Sequence, residues 1–346
     1  MKQFGVNGFG RIGRTFVRAW ISKNNPDLSL AVINTSGSME IEGWAHLLKY
    51  DTNYGPFQGE ITVEKTQSAK DATDENPVIG TITIAGHKVV VTAQRDPKLI
   101  PWGAYGVEVV IEATGAFTSE EKAAQHFAGG AKKVMITAPA KGGTVSTSVI
   151  GVNQYAEGVN VLSNASCTTN CVAPVAQIMH SVFGVEKAML TTIHAYTDDQ
   201  NTQDNSHKDL RRSRTAAQNI IPTSTGAAIA VTEIIPELKG MFDGLAVRVP
   251  VPVGSLSDMV FVTKRPVTVA EVNQAFIDAS TQDRWKGILA VTTDEIVSSD
   301  VVGRTESSIV DLSLTQVIGG NLVKVISWYD NEWGYCMRLV DQLEII

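Results

Sequence analysis

A glycine-rich turn near the N-terminus constrains the fold of this chain more than any other feature. Gly8, Gly10 and Gly13 have G-x-G-x-x-G spacing and lie between a short apolar segment and a segment with helical spacing. In a strand–turn–helix unit, the first glycine permits the turn, the second lets a pyrophosphate approach, and the third lets helix and strand pack. The phosphates then lie at the helix N-terminus, where amides and dipole favour an anion. A purely structural turn is the alternative, but this position favours a dinucleotide site.

The end of the second predicted strand lacks the acidic residue that usually completes such a site. NAD-type sites commonly place Asp or Glu there, on the ribose 2′-hydroxyl. Here the strand ends in the run VINTSGS, and Thr35 takes the acidic position. A carboxylate would repel a 2′-phosphate, whereas hydroxyl groups can donate hydrogen bonds to it. We therefore expect use of NADP, alone or together with NAD; the alternative is that Thr35 contacts an NAD ribose more weakly.

The pattern of predicted elements changes near residue 165. Before it, strands at residues 4–6, 28–33, 88–92, 107–112 and 134–137 alternate with helices at 14–21 and 119–127. This predicts an α/β fold with an N-terminal doubly wound, mostly parallel Rossmann-type sheet. After it, helices at 167–183 and 332–343 enclose strands at 188–194, 245–249, 259–263 and 322–327. That pattern predicts an α+β domain with a mixed or antiparallel sheet, and the length of 346 residues agrees with about two domains.

Residues 64–77 (EKTQSAKDATDENP) are polar and predict an exposed insertion, which we expect to form a surface hairpin without a catalytic role.

The whole chain carries a formal net charge of −7, which argues against general electrostatic binding to nucleic acid or to an anionic membrane. No apolar run approaches the roughly 20 residues of a membrane span. Three cysteines cannot form a disulfide framework, so we expect a soluble, cytoplasmic protein in a reducing compartment; a processed organellar protein is the alternative.

Cys167 is the candidate nucleophile. Ser166 is the predicted N-cap of the helix that follows, which places Cys167 in the first helical turn, where amide dipoles lower a thiol pKa. Cys171 lies one turn further along, and C-x-x-x-C spacing suits neither a thioredoxin-type pair nor a usual zinc site, so we expect no metal. A buried packing cysteine is the alternative. The flanking hydroxyl residues and the cap position favour a nucleophile.

A cysteine nucleophile usually needs a base, and His194 is the candidate because it ends an apolar strand and opens a polar loop. A satisfied core histidine is the alternative. The other five histidines lack that setting and are interpreted as surface or structural residues: His46, His87, His126, His180 and His207.

Two further cationic features suggest anion binding. A seven-residue segment of this acidic chain contains four cations: Lys208, Arg211, Arg212 and Arg214. A solvated loop with internal ion pairs is the simpler interpretation. Arg248 interrupts an apolar strand, so we expect it to have a partner such as a carboxylate or a substrate phosphate.

Together these motifs closely resemble the phosphorylating glyceraldehyde-3-phosphate dehydrogenase family over nearly the whole chain. The matching runs are NGFGRIGR (7–14), AHLLKYD (45–51), SNASCTTN (163–170), TTIHAY (191–196), PTSTGAA (222–228) and WYDNEWGY (328–335). The resemblance implies an NAD(P)-binding domain at 1–166, completed by the C-terminal helix at 332–346, and a catalytic domain at 167–331. It also implies a homotetramer.

The resemblance further implies the chemistry. Cys167 would attack the aldehyde of glyceraldehyde 3-phosphate to give a thiohemiacetal, with His194 as base. Hydride transfer to NAD(P) would leave a thioester, which inorganic phosphate cleaves to 1,3-bisphosphoglycerate, and the reaction is reversible.

The remaining roles are carried over from matching positions. Cofactor contacts are implied for the turn glycines and for Arg11, Ile12, Thr35, Arg95, Thr137, Ser206 and Asn331. One phosphate site is implied for Ser166, Thr168, Thr225 and Gly226, with Arg212 nearby. A second phosphate site is implied for Thr197 and Arg248.

Three positions depart from the common family pattern. Thr35 stands where NAD-using members carry Asp, and Asn205-Ser206 stands where strictly NAD-using bacterial members often have Leu-Pro. Both departures favour NADP, since the family's loop at Ser206 reaches a neighbouring subunit's adenosine pocket. The third departure is RVPVPVGS at 248–255 in place of RVPTPNVS, which leaves Arg248 but removes the usual Thr and Asn.

The sequence leaves three alternative functions. Erythrose-4-phosphate dehydrogenase is disfavoured because HAYTDDQ and PTSTGAA follow the triose-phosphate pattern. A cysteine acyltransferase or hydrolase could use the same Cys–His pair but needs no dinucleotide site. A non-catalytic protein that binds RNA is disfavoured by the intact Cys167 and His194 and by the acidic charge.

Overall fold

The computed structural model describes all residues from 1 to 346, and its contacts divide the chain into two units. The first unit comprises Met1–Thr147, Tyr155–Asn164 and Leu339–Ile346, and the second comprises Ser148–Gln154 and Ala165–Arg338. None of the helices is long and apolar enough to cross a membrane.

The first unit is built on a nine-stranded sheet in the order β3-β4-β5-β2-β1-β6-β7-β9-β8. Its strands are β1 (Lys2–Asn7), β2 (Leu28–Thr35), β3 (Ile61–Lys65), β4 (Val78–Ile84), β5 (His87–Ala93), β6 (Val109–Glu112), β7 (Lys133–Ile136), β8 (Ser146–Thr147) and β9 (Val161–Ser163). Its helices are α1 (Arg11–Lys23), α2 (Ile41–Lys49) and α3 (Glu120–Ala123).

In this order, the seven strands from β5 through β2, β1, β6, β7 and β9 to β8 run parallel, and only the β3–β4 and β4–β5 pairs are antiparallel. The chain order along the sheet reverses at β1, which pairs with both β2 and β6. Doubly wound sheets bind their ligands at the carboxyl ends of the strands beside such a reversal. The predicted Rossmann-type architecture is confirmed.

The second unit is built on a mixed sheet in the order β11-β12-β10-β13-β17-β15-β14, with β16 paired to β17. Its strands are β10 (Val185–Ala195), β11 (Ile221–Ser224), β12 (Phe242–Val249), β13 (Ser255–Thr263), β14 (Leu289–Thr292), β15 (Ser308–Asp311), β16 (Gln316–Ile318) and β17 (Leu322–Tyr329). Its helices are α4 (Cys167–Phe183), α5 (Ala227–Ile234) and α6 (Val269–Ser280). The predicted mixed sheet is confirmed.

The hydrophobic core of the second unit lies on one face of this sheet. Helix α4 contributes Val172, Val175 and Met179 to a buried cluster that also contains Phe261 of β13 and Phe276 of α6. Buried and half-buried residues alternate strictly along β13, as a strand with one covered face requires. The last helix, α7 (Trp333–Ile345), begins in the second unit and ends in the first.

Two predicted elements differ in the structure. Helix α1 begins at Arg11 rather than Arg14, directly after the glycine turn. The helix predicted at 119–127 is α-helical only to Ala123 and continues as a 3-10 helix to Gly129. A side chain at Gly129 would lie 2.1 Å from the Ile100 carbonyl oxygen, so this segment ends against neighbouring backbone.

Candidate active site

The N-terminus of α4 positions Cys167. Ser166 is the N-cap, as predicted, and its side-chain oxygen accepts a hydrogen bond of 3.0 Å from the Thr169 amide. The residue Cys167 is partly exposed, whereas Cys171, one turn further along, is fully buried and contacts Ser327. Only Cys167 is therefore open to a substrate.

Strand β10 brings His194 to this thiol. The Cys167 Sγ lies 3.4 Å from His194 Nε2, and His194 Nδ1 lies 2.6 Å from the carbonyl oxygen of Ala195. Because a carbonyl only accepts hydrogen bonds, Nδ1 carries the proton, and Nε2 presents a lone pair to the thiol. The imidazole thus has the tautomer that a general base requires.

The protonation of this pair differs from the sequence-based expectation. Burial raises the pKa of the Cys167 thiol, and this outweighs the opposing effects of the Arg248 charge and of hydrogen bonds from Thr168. The prediction of a lowered thiol pKa was therefore wrong, because desolvation of the sulfur outweighs the local effect of the helix N-terminus. Burial, followed by the Arg248 charge, lowers the pKa of His194 to about 3. The resting pair is a neutral thiol beside a neutral imidazole.

Arg248 lies beside His194 because β12 pairs with β10 in a register that sets the two residues opposite each other. Its Nη1 donates to Thr197 Oγ1 at 2.7 Å and to the Ala195 carbonyl oxygen at 3.3 Å. Its buried Nε has no partner. The partners of Arg248 are uncharged, so the guanidinium retains a charge and a donor that an anion could use.

Arg212 is the member of the basic loop that lies nearest to this chemistry. Its guanidinium donates to Asp199 Oδ2 at 2.6 Å and to Thr223 Oγ1 at 3.0 Å. Asp199 in turn accepts a hydrogen bond from Thr197, which links Arg212 to the surroundings of Arg248. The simpler interpretation holds for Arg214, which pairs with Asp204 inside the loop.

Tyr329 is a residue near the site that sequence reasoning missed. Its hydroxyl lies 2.9 Å from the hydroxyls of both Thr168 and Thr192, and its ring packs edge-on against His194. Tyr329 lay within the quoted WYDNEWGY run, but no local pattern links the end of β17 to α4 and β10. The Thr168 hydroxyl is consequently buried within this network.

The other residues predicted for this phosphate site lie at the start of α5. Gly226 is the N-cap of that helix, and the Thr225 hydroxyl accepts a hydrogen bond of 3.2 Å from the Ala227 amide. Ser166 and Thr168 lie at the N-terminus of α4, whereas Thr225 and Gly226 lie at the N-terminus of α5. Two helix starts therefore supply the residues that the resemblance assigned to one phosphate.

The glycine turn fits a dinucleotide pyrophosphate. A side chain at Gly8 would meet Thr114 at 2.8 Å, and one at Gly13 would meet the Gly8 carbonyl oxygen at 2.1 Å. A side chain at Gly10, by contrast, would point into open space. Helix α1 has neither a side-chain cap nor an acidic residue in its first turn, which suits an anion at its N-terminus. Arg11, in that first turn, pairs with Asp51.

The residues expected near the ribose cluster at the ends of β2 and β5. Thr35 is buried, and its hydroxyl donates to the Thr92 carbonyl oxygen at 3.0 Å. That proton is therefore committed within the sheet, which weakens the expectation that Thr35 donates to a 2′-phosphate. Arg95 is exposed and donates from Nε to the Ser36 carbonyl oxygen at 3.2 Å. Thr137, by contrast, follows β7, and its hydroxyl donates to the Glu112 carbonyl oxygen.

Two predicted cofactor residues belong to the second unit. Ser206 is exposed in the basic loop. Asn331 is buried, and its Oδ1 accepts hydrogen bonds of 3.0 Å from the Gly254 amide and the Ser255 hydroxyl. Gly254 has a φ of +96°, and a side chain there would lie 2.2 Å from the Ser298 carbonyl oxygen. The end of the RVPVPVGS run therefore forms a glycine-dependent turn anchored by Asn331. Arg248, which begins the run, donates its hydrogen bonds outside it, to Ala195 and Thr197.

Comparison with known proteins identifies related chains. Residues 2–120 match the family model for the glyceraldehyde 3-phosphate dehydrogenase NAD binding domain, and residues 166–331 match the model for the C-terminal domain of that enzyme. Proteins named glyceraldehyde-3-phosphate dehydrogenase from Streptomyces coelicolor and Geobacillus stearothermophilus are 49% and 46% identical, each over 97% of this chain and 96% of the relative. The chloroplastic glyceraldehyde-3-phosphate dehydrogenase B of Pisum sativum is 45% identical over 99% of this chain and 73% of its own.

Proposed function

The chain belongs to the glyceraldehyde-3-phosphate dehydrogenase family, a family of NAD(P)-dependent oxidoreductases, and we propose that it converts D-glyceraldehyde 3-phosphate reversibly to 1,3-bisphosphoglycerate. The observation that carries the proposal is the 3.4 Å contact between Cys167 Sγ and the unprotonated Nε2 of His194. A thiol facing a base of fixed tautomer is the arrangement that covalent catalysis at an aldehyde requires.

The first step is attack of the Cys167 sulfur on the aldehyde carbon. His194 Nε2 accepts the thiol proton as the carbon–sulfur bond forms and passes it to the carbonyl oxygen, which becomes the hydroxyl of a thiohemiacetal and leaves Nε2 unprotonated again. Because the resting pair is neutral, the proton moves during the attack rather than before it. Bound NAD(P) supplies the two-electron acceptor for oxidation to the thioester.

The second step releases the acyl group. His194 accepts the proton of the thiohemiacetal hydroxyl during oxidation, and an oxygen of inorganic phosphate then attacks the thioester carbon. The carbon–sulfur bond breaks, the acyl phosphate leaves, and the sulfur of Cys167 regains a proton. Edge-on packing of Tyr329 and the Ala195 carbonyl oxygen hold the imidazole in place throughout.

We assign the two phosphate groups to the two cationic positions. Arg248 with Thr197 would bind the substrate phosphate. The attacking phosphate would be bound by Ser166, Thr168, Thr225 and Gly226, with Arg212 nearby. The free Nε of Arg248 supports the first assignment, since bidentate binding of phosphate needs more than one guanidinium donor.

Replacement of Cys167 by Ser tests the reaction. We expect turnover of glyceraldehyde 3-phosphate with phosphate to fall by about four orders of magnitude or more, since a serine hydroxyl is a far weaker nucleophile. NAD binding, measured by calorimetry, should remain. Residual turnover close to that of the unaltered chain would overturn the nucleophile assignment.

We further infer that the enzyme accepts NADP as well as NAD. Support comes from the lack of a carboxylate at Thr35 and from the Arg95 guanidinium beside Ser36, rather than from a free Thr35 hydroxyl. Paired assays with NAD and NADP test this, and Thr35→Asp should lower kcat/KM for NADP by about tenfold with a smaller effect on NAD. An equal loss with both cofactors would defeat the explanation.

A homotetramer is the assembly that the family resemblance implies, and the second unit offers a surface suited to self-association. Met189 of β10 is 61% exposed and Leu245 of β12 is 43% exposed, on the sheet face that α4 and α6 leave uncovered. Thr191 pairs with Leu245, and Met189 lies two residues before Thr191 in β10, so the side chains of Met189 and Leu245 lie on the same face of the sheet. Light scattering after gel filtration tests this; a monomer would exclude it.

A further inference from the structure

The predicted insertion at 64–77 begins within β3, and its remaining residues, 66–77, have no place in the reaction, yet they are anchored at several points. It connects β3 to β4 and is mostly exposed, but Ala69 and Pro77 are buried. A side chain at Gly37, just after β2, would lie 3.5 Å from the Ala69 carbonyl oxygen. The predicted surface hairpin therefore packs against the segment that follows β2.

Glu40 holds the insertion in this position. Its carboxylate accepts hydrogen bonds from the Ser68 hydroxyl at 2.5 Å and the Ala69 amide at 3.1 Å, and it pairs with Lys65 Nζ at 3.0 Å. These hydrogen bonds lower the pKa of Glu40 to about 2. The anchoring carboxylate thus remains ionised at every pH of ordinary use.

Gln94 connects the insertion to the end of β2. Its side chain is buried, with Nε2 donating to Asp74 Oδ1 at 3.0 Å and Oε1 accepting from the Asp96 amide at 2.9 Å. Its backbone amide donates to the Thr35 carbonyl oxygen at 3.1 Å. One residue, Gln94, therefore links Asp74 to Thr35 and precedes Arg95 in the chain.

Asp74 lies near the end of β2, which is where dinucleotide-binding sheets contact the adenosine ribose. The residue at the end of the second strand faces the adenosine ribose, and a carboxylate there selects a 2′-hydroxyl over a 2′-phosphate. Thr35 lacks that carboxylate, and the insertion brings a different one to the same edge of the sheet.

We propose that Asp74 is a specificity-determining residue for the adenosine 2′ position, with its carboxylate opposing a 2′-phosphate while the Arg95 guanidinium attracts one. The inference rests on the proposed function for its choice of ligand. Since Asp74 is exposed, its charge acts through water, so its effect is moderate and decreases with salt. The insertion thus adjusts the NADP preference that Thr35 alone would give.

The test is calorimetric binding of NAD and NADP to the full chain carrying Cys167→Ser, with and without Asp74→Asn. Asparagine keeps the oxygen that accepts from Gln94, so the loop contact survives while the charge is removed. We expect the ratio of NADP to NAD affinity to rise roughly threefold to tenfold at low ionic strength, and to rise less in about 0.5 M salt. Glu75→Gln, in the neighbouring exposed residue, is the matched control and should change the ratio less.

An unchanged affinity ratio in Asp74→Asn would overturn the proposal, as would an equal rise in Glu75→Gln, which would indicate general surface charge. Binding needs no substrate, so failure of the reaction is detected separately. If Asp74→Asn shifts the affinity ratio but the unaltered chain, with Cys167 intact, does not turn over glyceraldehyde 3-phosphate, the proposed reaction is refuted and the role of Asp74 is supported. Failure of every variant to bind either dinucleotide would overturn both.

Discussion

The two units each bury one histidine almost completely, and the two rings differ in how fully their nitrogens are hydrogen-bonded. His126 is 0% exposed and His194 is 3% exposed. His126 accepts a hydrogen bond of 3.1 Å from Trp102 Nε1 at its Nδ1, and its Nε2 lies 3.0 Å from a Glu112 carboxylate oxygen. His194 has one strong partner, the Ala195 carbonyl oxygen, and faces a thiol with its other nitrogen.

The difference shows that burial alone does not separate a structural histidine from a catalytic one. Glu112 also accepts hydrogen bonds from Asn7 at 2.6 Å and from the Thr114 amide at 2.8 Å, so the network around His126 has strong donors matched to strong acceptors. The lone pair of His194 faces a thiol, which is only a weak donor. His126 therefore contributes to stability, whereas His194 keeps a proton acceptor available for chemistry.

The largest effect expected from this comparison is the loss of activity in His194→Asn. The asparagine amide can still donate to the Ala195 carbonyl oxygen, but no base faces Cys167. We expect kcat to fall by about two to four orders of magnitude, while dinucleotide affinity is retained. Steady-state kinetics and calorimetry measure the two quantities. If kcat fell less than about fivefold, another group would have to act as the base.

The complementary expectation is a loss of stability in His126→Ala. Removing the ring leaves the buried Trp102 indole without an acceptor and takes one partner from the Glu112 carboxylate, which keeps Asn7 and Thr114. This should cost about 1 to 3 kcal/mol in the free energy of unfolding. His126→Gln is the matched control, because its amide can still donate to Glu112 and should recover part of that loss. Urea unfolding measures both variants.

The comparison also predicts that changing His126 leaves kcat nearly unaltered. At saturating cofactor, kcat of His126→Gln should stay within about threefold of the unaltered value, since His126 has no role in the reaction. A large loss of kcat in a folded His126→Gln would contradict the division between the two histidines.

The fold was largely predictable from the sequence because its signals are local. The apolar helix at 167–183 was predicted with the bounds that α4 has, since Ser166 caps one end and Gly184 follows the other. The 3-10 continuation after Ala123 was not predictable, because it depends on backbone packing against Ile100. Local patterns report helix ends that are capped locally, and not those determined by a distant segment.

The site was predictable as a set of residue types, but its electrostatics were not. Cys167 and His194 stood out by their positions at element ends. The direction of the thiol pKa depends on how deeply the whole unit buries the sulfur, which no spacing reveals. Tyr329 and Asp74 were missed for a related reason, since each acts through a contact made across the fold.

The smallest expected effect concerns acid stability, and it again distinguishes His194. Burial lowers the pKa of His194 to about 3 in the folded chain, below the ordinary value of 6.5. Between these values the unfolded chain binds a proton that the folded chain does not, so the free energy of unfolding falls as pH decreases. The fall is at most about 1.4 kcal/mol per pH unit for one group, and the stability is fully present above the unfolded value. His194→Asn lacks this proton-binding difference, so it should lose less stability than the unaltered chain between pH 7 and 5. Urea unfolding at several pH values measures this difference, and parallel curves would mean that the folded chain does not hold the imidazole neutral.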